Sequence, residues 1–205
     1  MDIATSPDES DINLQTADAA AAPHRTANIR REDYRPPAWL VPEVTLEFSL
    51  GLDATTVRSR LTVRRNPDAE GEATIRLNGE GIAARAVVVD GRPSNAWRMD
   101  GEDLLIDLDG DAHEIALETA INPAANSQLM GLYASNGMLC TQCEAEGFRR
   151  ITFFPDRPDV LSTYRVRMEG DKAKFPVLLS NGDCTASGEG ADGSHWAEWR
   201  DPWPK

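Results

Sequence analysis

Cysteine, histidine and aromatic residues are scarce in this 205-residue chain, with three cysteines, three histidines and 6% Phe, Trp and Tyr. Three thiols are too few for a disulfide framework. The small, odd number fits free thiols in a reducing compartment, so a cytoplasmic location is the expectation. Basic residues are in deficit as well: 21 Lys and Arg stand against 34 Asp and Glu, a net charge of −13. That balance excludes nucleic acid as a partner, because its phosphates demand a basic surface. It also disfavours an anionic membrane surface. No apolar run is long enough to span a bilayer. The start, Met1-Asp2-Ile3-Ala4, has neither the basic residues nor the apolar stretch of a signal peptide. An acidic field suits a cationic ligand, although it serves solubility equally well.

Helix signals are missing too. Residues 1–29 are acidic and alanine-rich, include Ala19-Ala20-Ala21-Ala22-Pro23 and show no apolar period. They are expected to form a disordered leader. One ordered domain is expected over 30–205, long enough for a real core. From Val41 onward the pattern has the period of strands. Val44, Leu46, Phe48 and Leu50 alternate with polar residues, and so do Val57, Ser59, Leu61 and Val63 against Arg58, Arg60, Thr62 and Arg64. Shorter strands are predicted at 74–77, 84–89, 95–98, 103–108, 114–119, 163–168, 177–180, 184–187 and 195–199. Asn78-Gly79, Asp90-Gly91, Asp100-Gly101, Asp109-Gly110, Asn181-Gly182 and Asp192-Gly193 read as the turns between them. A single turn of helix is allowed at 147–153. The predicted class is all-β: a multi-stranded, mostly antiparallel, bent or saddle-like β-sandwich.

The chain centres on the run from Gly131 to Arg150. Leu132-Tyr133 and Met138-Leu139-Cys140 suit two strands, and Asn136-Gly137 between them suits a tight hairpin turn. The second arm then loses its apolar pattern and reads Thr141-Gln142-Cys143-Glu144-Ala145-Glu146-Gly147. If it stays extended, Gln142, Glu144 and Glu146 share one face. An amide beside carboxylates at a hairpin end can bind an amine or a metal, and a solvated strand end has the same composition. Residue types alone leave both open.

Two other motifs lead to weaker chemistry. Cys140 and Cys143 have the spacing of a redox dithiol, but residues three apart on a strand face opposite sides, so thiols acting as small buried apolar groups are preferred. His113-Glu114 begins a zinc-binding His-Glu-x-x-His pattern that lacks its second histidine. It lies in a strand-like alternation, and His113 is expected on the surface. Asp156, Arg157 and Asp159 suggest a turn held by its own hydrogen bonds, Arg149 and Arg150 can pair with nearby acids, and Tyr133 and Phe148 flank the motif as supports.

The run Cys140-Thr141-Gln142-Cys143-Glu144-Ala145-Glu146-Gly147-Phe148-Arg149, with Asp156-Arg157-Pro158-Asp159-Val160 after it, resembles the N-terminal domain of the aminopeptidase N family, the zinc-dependent alanyl aminopeptidases of the gluzincin group. The similarity reaches back through Arg76-Leu77-Asn78-Gly79-Glu80 and Asn122-Pro123-Ala124-Ala125-Asn126. It reaches forward through Lys174–Gly182 and Trp199-Arg200-Asp201-Pro202-Trp203, covering most of the chain after Arg31. The resemblance implies that Glu144 enters the active-site cleft and binds the free α-amino group of a peptide substrate. Gln142 would line the pocket for the first side chain. It further implies that zinc belongs to the full-length enzyme, that none is bound by this chain, and that the catalytic domain of the same polypeptide is the partner. Broad, alanine-preferring exopeptidase activity in peptide catabolism and a monomeric state are the matching expectations. The last strand and the catalytic domain are expected beyond Lys205, leaving this chain inactive alone. The competing reading is a non-catalytic peptide- or protein-binding β module without a zinc site.

Overall fold

The computed structural model describes residues 30–205. Two units are distinguished, Met1–Tyr34 and Arg35–Lys205. Of the first, the described part is a 3-10 turn at Arg31–Asp33; the predicted leader at 1–29 lies outside the described residues.

The second unit is built from strands. Its first two, β1 (Trp39–Ser49) and β2 (Thr55–Arg65), pair antiparallel. Burial along β1 falls on Trp39 and Val41, then on Val44, Leu46 and Phe48. The phase changes because the register slips between Leu40 and Glu43, a bulge that lets the strand keep its apolar side inward on both sides of the extra residue. Next come β3 (Thr74–Leu77), β4 (Ala84–Val89), β5 (Arg92–Pro93), β6 (Trp97–Asp100), β7 (Asp103–Asp107) and β8 (Ala112–Ile121). The chain continues with β9 (Gly131–Ser135), β10 (Met138–Gln142), β11 (Thr163–Asp171), β12 (Asp183–Glu189) and β13 (Ser194–Asp201). They form an eight-stranded sheet in the order β12-β13-β11-β1-β2-β8-β4-β5, a three-stranded sheet β3-β7-β6 and the hairpin β9–β10. All neighbours are antiparallel except β1 and β11, so the all-β, mostly antiparallel expectation holds.

The core lies between the inward face of the large sheet and the segment 151–160. Val57, Leu61, Ile115 and Leu117 from the sheet meet Ile75, Leu77, Leu104 and Ile106 of the smaller sheet, with Ile151, Phe153 and Phe154 among them. An irregular segment buried this deeply must satisfy its polar groups inside the protein. Ser59 and Thr152 hydroxyls share a hydrogen bond of 2.7 Å, and the Thr119 hydroxyl donates to the Ile151 carbonyl at 3.0 Å. At the far end of the segment, the Ser162 hydroxyl donates to the Val41 carbonyl.

Several expectations change. No strand forms at 177–180, where Leu178 is buried beside Phe175 and Ala197 while Val177 and Leu179 are exposed; the alternation is real, but among the described residues no strand pairs with the segment. Asn78-Gly79 is no hairpin turn: Asn78 bridges Phe154, and glycine is required at 79 because a Cβ there would stand 2.3 Å from the Phe153 ring. The β6–β7 turn falls one residue later than predicted, at Gly101-Glu102. His113 is not a surface residue. Its side chain is 10% exposed, its Nδ1 is 2.7 Å from Asp90 Oδ2, and its ring lies 6.0 Å from Trp39.

Candidate functional site

The hairpin positions the site. Asn136 and Gly137 take φ of 50° and 78°, the left-handed pair that closes a two-residue turn with the twist of its strands. At the open end Gly131 pairs with Gln142. The Asn126 amide donates to the carbonyls of Met130 and Leu132 at 2.8 and 2.9 Å, fixing the entry into β9. On the core side Leu132 is buried, and Leu139 packs against the apolar cluster.

Past Gln142 the chain stops being extended, which corrects the expectation that Gln142, Glu144 and Glu146 share one face of a strand. Residues 143–147 form a turn closed by the Gly147 N–H donating to the Cys143 carbonyl at 3.0 Å. The Glu144–Ala145 peptide is cis and Glu146 has φ 68°. Glycine is needed at 147, since a Cβ would come within 2.5 Å of the Gln142 carbonyl oxygen. A 3-10 turn at Phe148–Arg150 follows, inside the stretch 147–153 where the sequence allows one. Its Phe148 ring sits edge-on to Phe154 and Tyr164, at 5.0 and 6.0 Å.

Four carboxylates surround this turn, and three of them are paired. Glu80 receives Arg150. Asp156 receives Arg149 Nε at 3.0 Å, and Glu146 lies 3.6 Å from Arg149 Nη2. Glu144 is exposed and, among the described residues, its carboxylate makes no hydrogen bond or ion pair. Gln142 Nε2 donates to the Glu144 carbonyl at 3.1 Å, so the amide braces the backbone from which that carboxylate projects. Beneath the turn, burial pushes the Cys143 thiol up to about 11, with Asp156 adding to the effect. Cys140, Cys143 and Cys184 are free thiols. An anion held on a braced turn, with its neighbouring acids already lying against arginines, can accept charged hydrogen bonds from a cationic ligand.

Among the described residues, no group of three or more His, Cys, Asp and Glu side chains is placed to hold a metal ion. His113 lies on β8, paired with Val63. Its Nδ1 faces Asp90, and its Nε2 is buried with no hydrogen-bond partner among the described residues.

Residues 41–205 match the peptidase M1 N-terminal domain. The chain belongs to that family. As an M1 N-terminal domain it is 49% identical over 175 residues to aminopeptidase N of Caulobacter vibrioides, covering 84% of this chain and 20% of that protein. To aminopeptidase N of Escherichia coli it is 41% identical over 175 residues, covering 85% and 20%. Among solved structures, Legionella pneumophila aminopeptidase A in complex with aspartic acid matches with a TM-score of 0.79 and 28% identity, over 85% of this chain and 21% of that one. The M1 zinc metallopeptidase of Deinococcus radiodurans shares the fold, with a TM-score of 0.70 at 19% identity over 83% and 40% of the two chains. This M1 N-terminal domain spans about a fifth of the length of the curated relatives it matches. No helix among its described residues is long and apolar enough to cross a membrane.

One residue at the site escaped the sequence reading. Asn78 accepts the Asp156 N–H on its side-chain oxygen at 3.2 Å and donates to Asp103 at 3.3 Å. Its position before a glycine suggested a turn, and the 78 residues separating it from Asp156 left no local signal. The Asp156 reading also changes. Arg157 pairs with Asp159 at 2.7 Å as a self-contained turn would, but Asp156 belongs to Arg149.

Proposed function

We propose that this chain is the substrate-anchoring N-terminal domain of a zinc metallo-aminopeptidase, covering one side of the active-site cleft and presenting Glu144 to the free α-amino group of a peptide. Membership of the M1 family supplies the class. The observation that carries the specific role is that, among the described residues, Glu144 is the carboxylate around the turn without a partner, while the turn beneath it is braced by Gln142 and by Arg149. A carboxylate aimed at an ammonium group forms a charge-assisted contact that strengthens once the cleft excludes water. Only an unblocked N-terminus carries that charge, so the contact makes cleavage exopeptidic. Gln142, its Nε2 occupied by the turn, offers Oε1 toward the first side chain or the same amine.

In this reading the catalytic domain of the same polypeptide would hold the zinc, which would supply Lewis-acid chemistry to the peptide carbonyl and to water. The described residues of this chain contribute binding and orientation. A broad, alanine-preferring specificity, a role in peptide catabolism, a monomeric enzyme and a cytoplasmic location complete the proposal; the free thiols agree with the last.

The test is steady-state kinetics of the full-length protein carrying Glu144→Ala or Glu144→Gln. KM is expected to rise and kcat/KM to fall by more than about tenfold, because the contact is made with the substrate's charge. Kinetics unchanged in both variants would remove Glu144 from the site.

A further inference from the structure

We infer that Arg149 is the positioning residue that sets where Glu144 stands, an inference that rests on the amine-anchor reading. Arg149 is joined to both the turn and the floor under it. Its backbone N–H and its Nε both donate to Asp156 Oδ2, at 3.1 and 3.0 Å, and its Nη2 donates to the Asp156 carbonyl at 3.0 Å. The same Nη2 lies 3.6 Å from Glu146, two residues beyond Glu144. Its own carbonyl accepts the Glu80 N–H at 3.1 Å.

The floor is rigid in its turn. The Asp156 N–H donates to Asn78, and Asn78 and Phe154 exchange backbone hydrogen bonds of 2.8 and 3.1 Å. Phe153, beside them, is fully buried. The Arg149 and Asp156 side chains are only 20% and 13% exposed, so their charge-assisted bonds are sheltered from the water that weakens surface pairs. Gln142 braces the other side of the turn through the Glu144 carbonyl. The anchor therefore stands between two fixed points, one of which is Arg149. Releasing it lets the Glu144 carboxylate drift without altering its charge, and a misplacement of about 1 Å can cost up to about a hundredfold in rate.

A double-mutant cycle in the full-length protein separates positioning from plain stabilisation. Arg149→Ala is expected to lower kcat/KM about tenfold, mainly through KM. Arg149→Lys, which keeps the charge but loses the planar fork, should fall between that variant and the parent. In a Glu144→Ala background Arg149→Ala should change kcat/KM by less than about twofold, because nothing is left to position. Should Arg149→Ala fail to fold, Asp156→Asn, which keeps the side-chain shape and removes the charge, runs the same cycle. A full, additive loss on top of Glu144→Ala would overturn the inference and mark the pair as structural only. So would parent-like kinetics for the Arg149 variants beside a crippled Glu144→Ala, an outcome that leaves the amine anchor standing. Parent-like kinetics for Glu144→Ala itself would overturn the anchor and the positioning role together.

Discussion

Among the arginine–carboxylate pairs of this domain, two groups are built differently. On the outward face of the large sheet, Glu118, Arg58, Glu47, Arg167 and Glu198 fall in one row across β8, β2, β1, β11 and β13. Arg58 meets Glu118 at 2.8 Å and Arg167 meets Glu198 at 2.9 Å. Their side chains reach water, from 56% exposed for Arg58 down to 29% for Glu118, and each such pair is worth about 0–1 kcal/mol. Around the 143–147 turn the arginines are mostly covered, and each also binds backbone or lies over a buried floor. The contrast teaches how to read a carboxylate without a partner. Glu47 in the outer row makes no ion pair among the described residues, and that is ordinary, since water solvates it and neighbouring arginines screen it. Among the described residues Glu144 lacks a partner where the three surrounding acids each lie against an arginine and the backbone is pinned, so its availability is a property of the built structure.

The largest expected effect comes from removing the floor. Phe153 is fully buried, touching the Gly79 backbone and the core under the turn. Phe153→Ala should cost about 3–5 kcal/mol in urea unfolding of this chain. A loss below about 1 kcal/mol would mean that the segment 151–160 adapts, and that the turn does not rest on a rigid base. Next in size is the Glu144 substitution, where a tenfold fall in kcat/KM corresponds to about 1.4 kcal/mol of lost transition-state binding.

A smaller effect is read by pH. Burial raises the Cys143 thiol from its ordinary 9.0 to about 11 and the Tyr164 phenol to about 12, so the folded protein favours both protonated forms. A group raised in this way lends stability below its unfolded pKa and loses it as pH climbs through the folded one. The chain should therefore lose stability between about pH 9 and 12, the Cys143 share going between 9 and 11. Urea midpoints at neutral pH and near pH 10.5 measure the slope, and Cys143→Ala should flatten it. Parallel slopes in parent and variant would show that the thiol beneath the turn is not the group responsible.

What the sequence reveals of these regions follows from the range of the interactions. Strand alternation and Asn-Gly turns are local, so β2, β3, β4 and the hairpin over Gly131–Gln142 lie close to where Val57, Ile75, Val87 and Asn136-Gly137 predict them. The end of β10 is not local. Glu144 and Glu146 have the two-residue spacing of a strand face, but the turn lies against Arg149, which is held by Asp156, and Asp156 is held in turn by Asn78, 78 positions away. The false strand at 177–180 has the same origin in reverse: Leu178 is apolar because Phe175 and Ala197 receive it, not because a neighbouring strand pairs with it. Glu144 is singled out as a candidate only through the resemblance carried by the Cys140–Arg149 run; what leaves its carboxylate available is visible only in three dimensions.

The smallest expected effect is the one that most directly tests the contrast between the two charge systems. Arg58→Ala removes the best-formed pair of the outer row, yet it should change the stability of this chain by no more than about 0.5 kcal/mol, and less still in high salt. The long side chain gives up rotamer freedom to hold Glu118, and the strand hydrogen bonds that set the β2–β8 register remain after it is gone. Asp156→Asn in the same assay should cost about 1–3 kcal/mol, because it leaves a mostly buried guanidinium with only the exposed Glu146 carboxylate beside it. Equal losses would erase the distinction: the arginines under the turn would then be surface pairs like those of the sheet, and the freedom of Glu144 would carry no more meaning than that of Glu47.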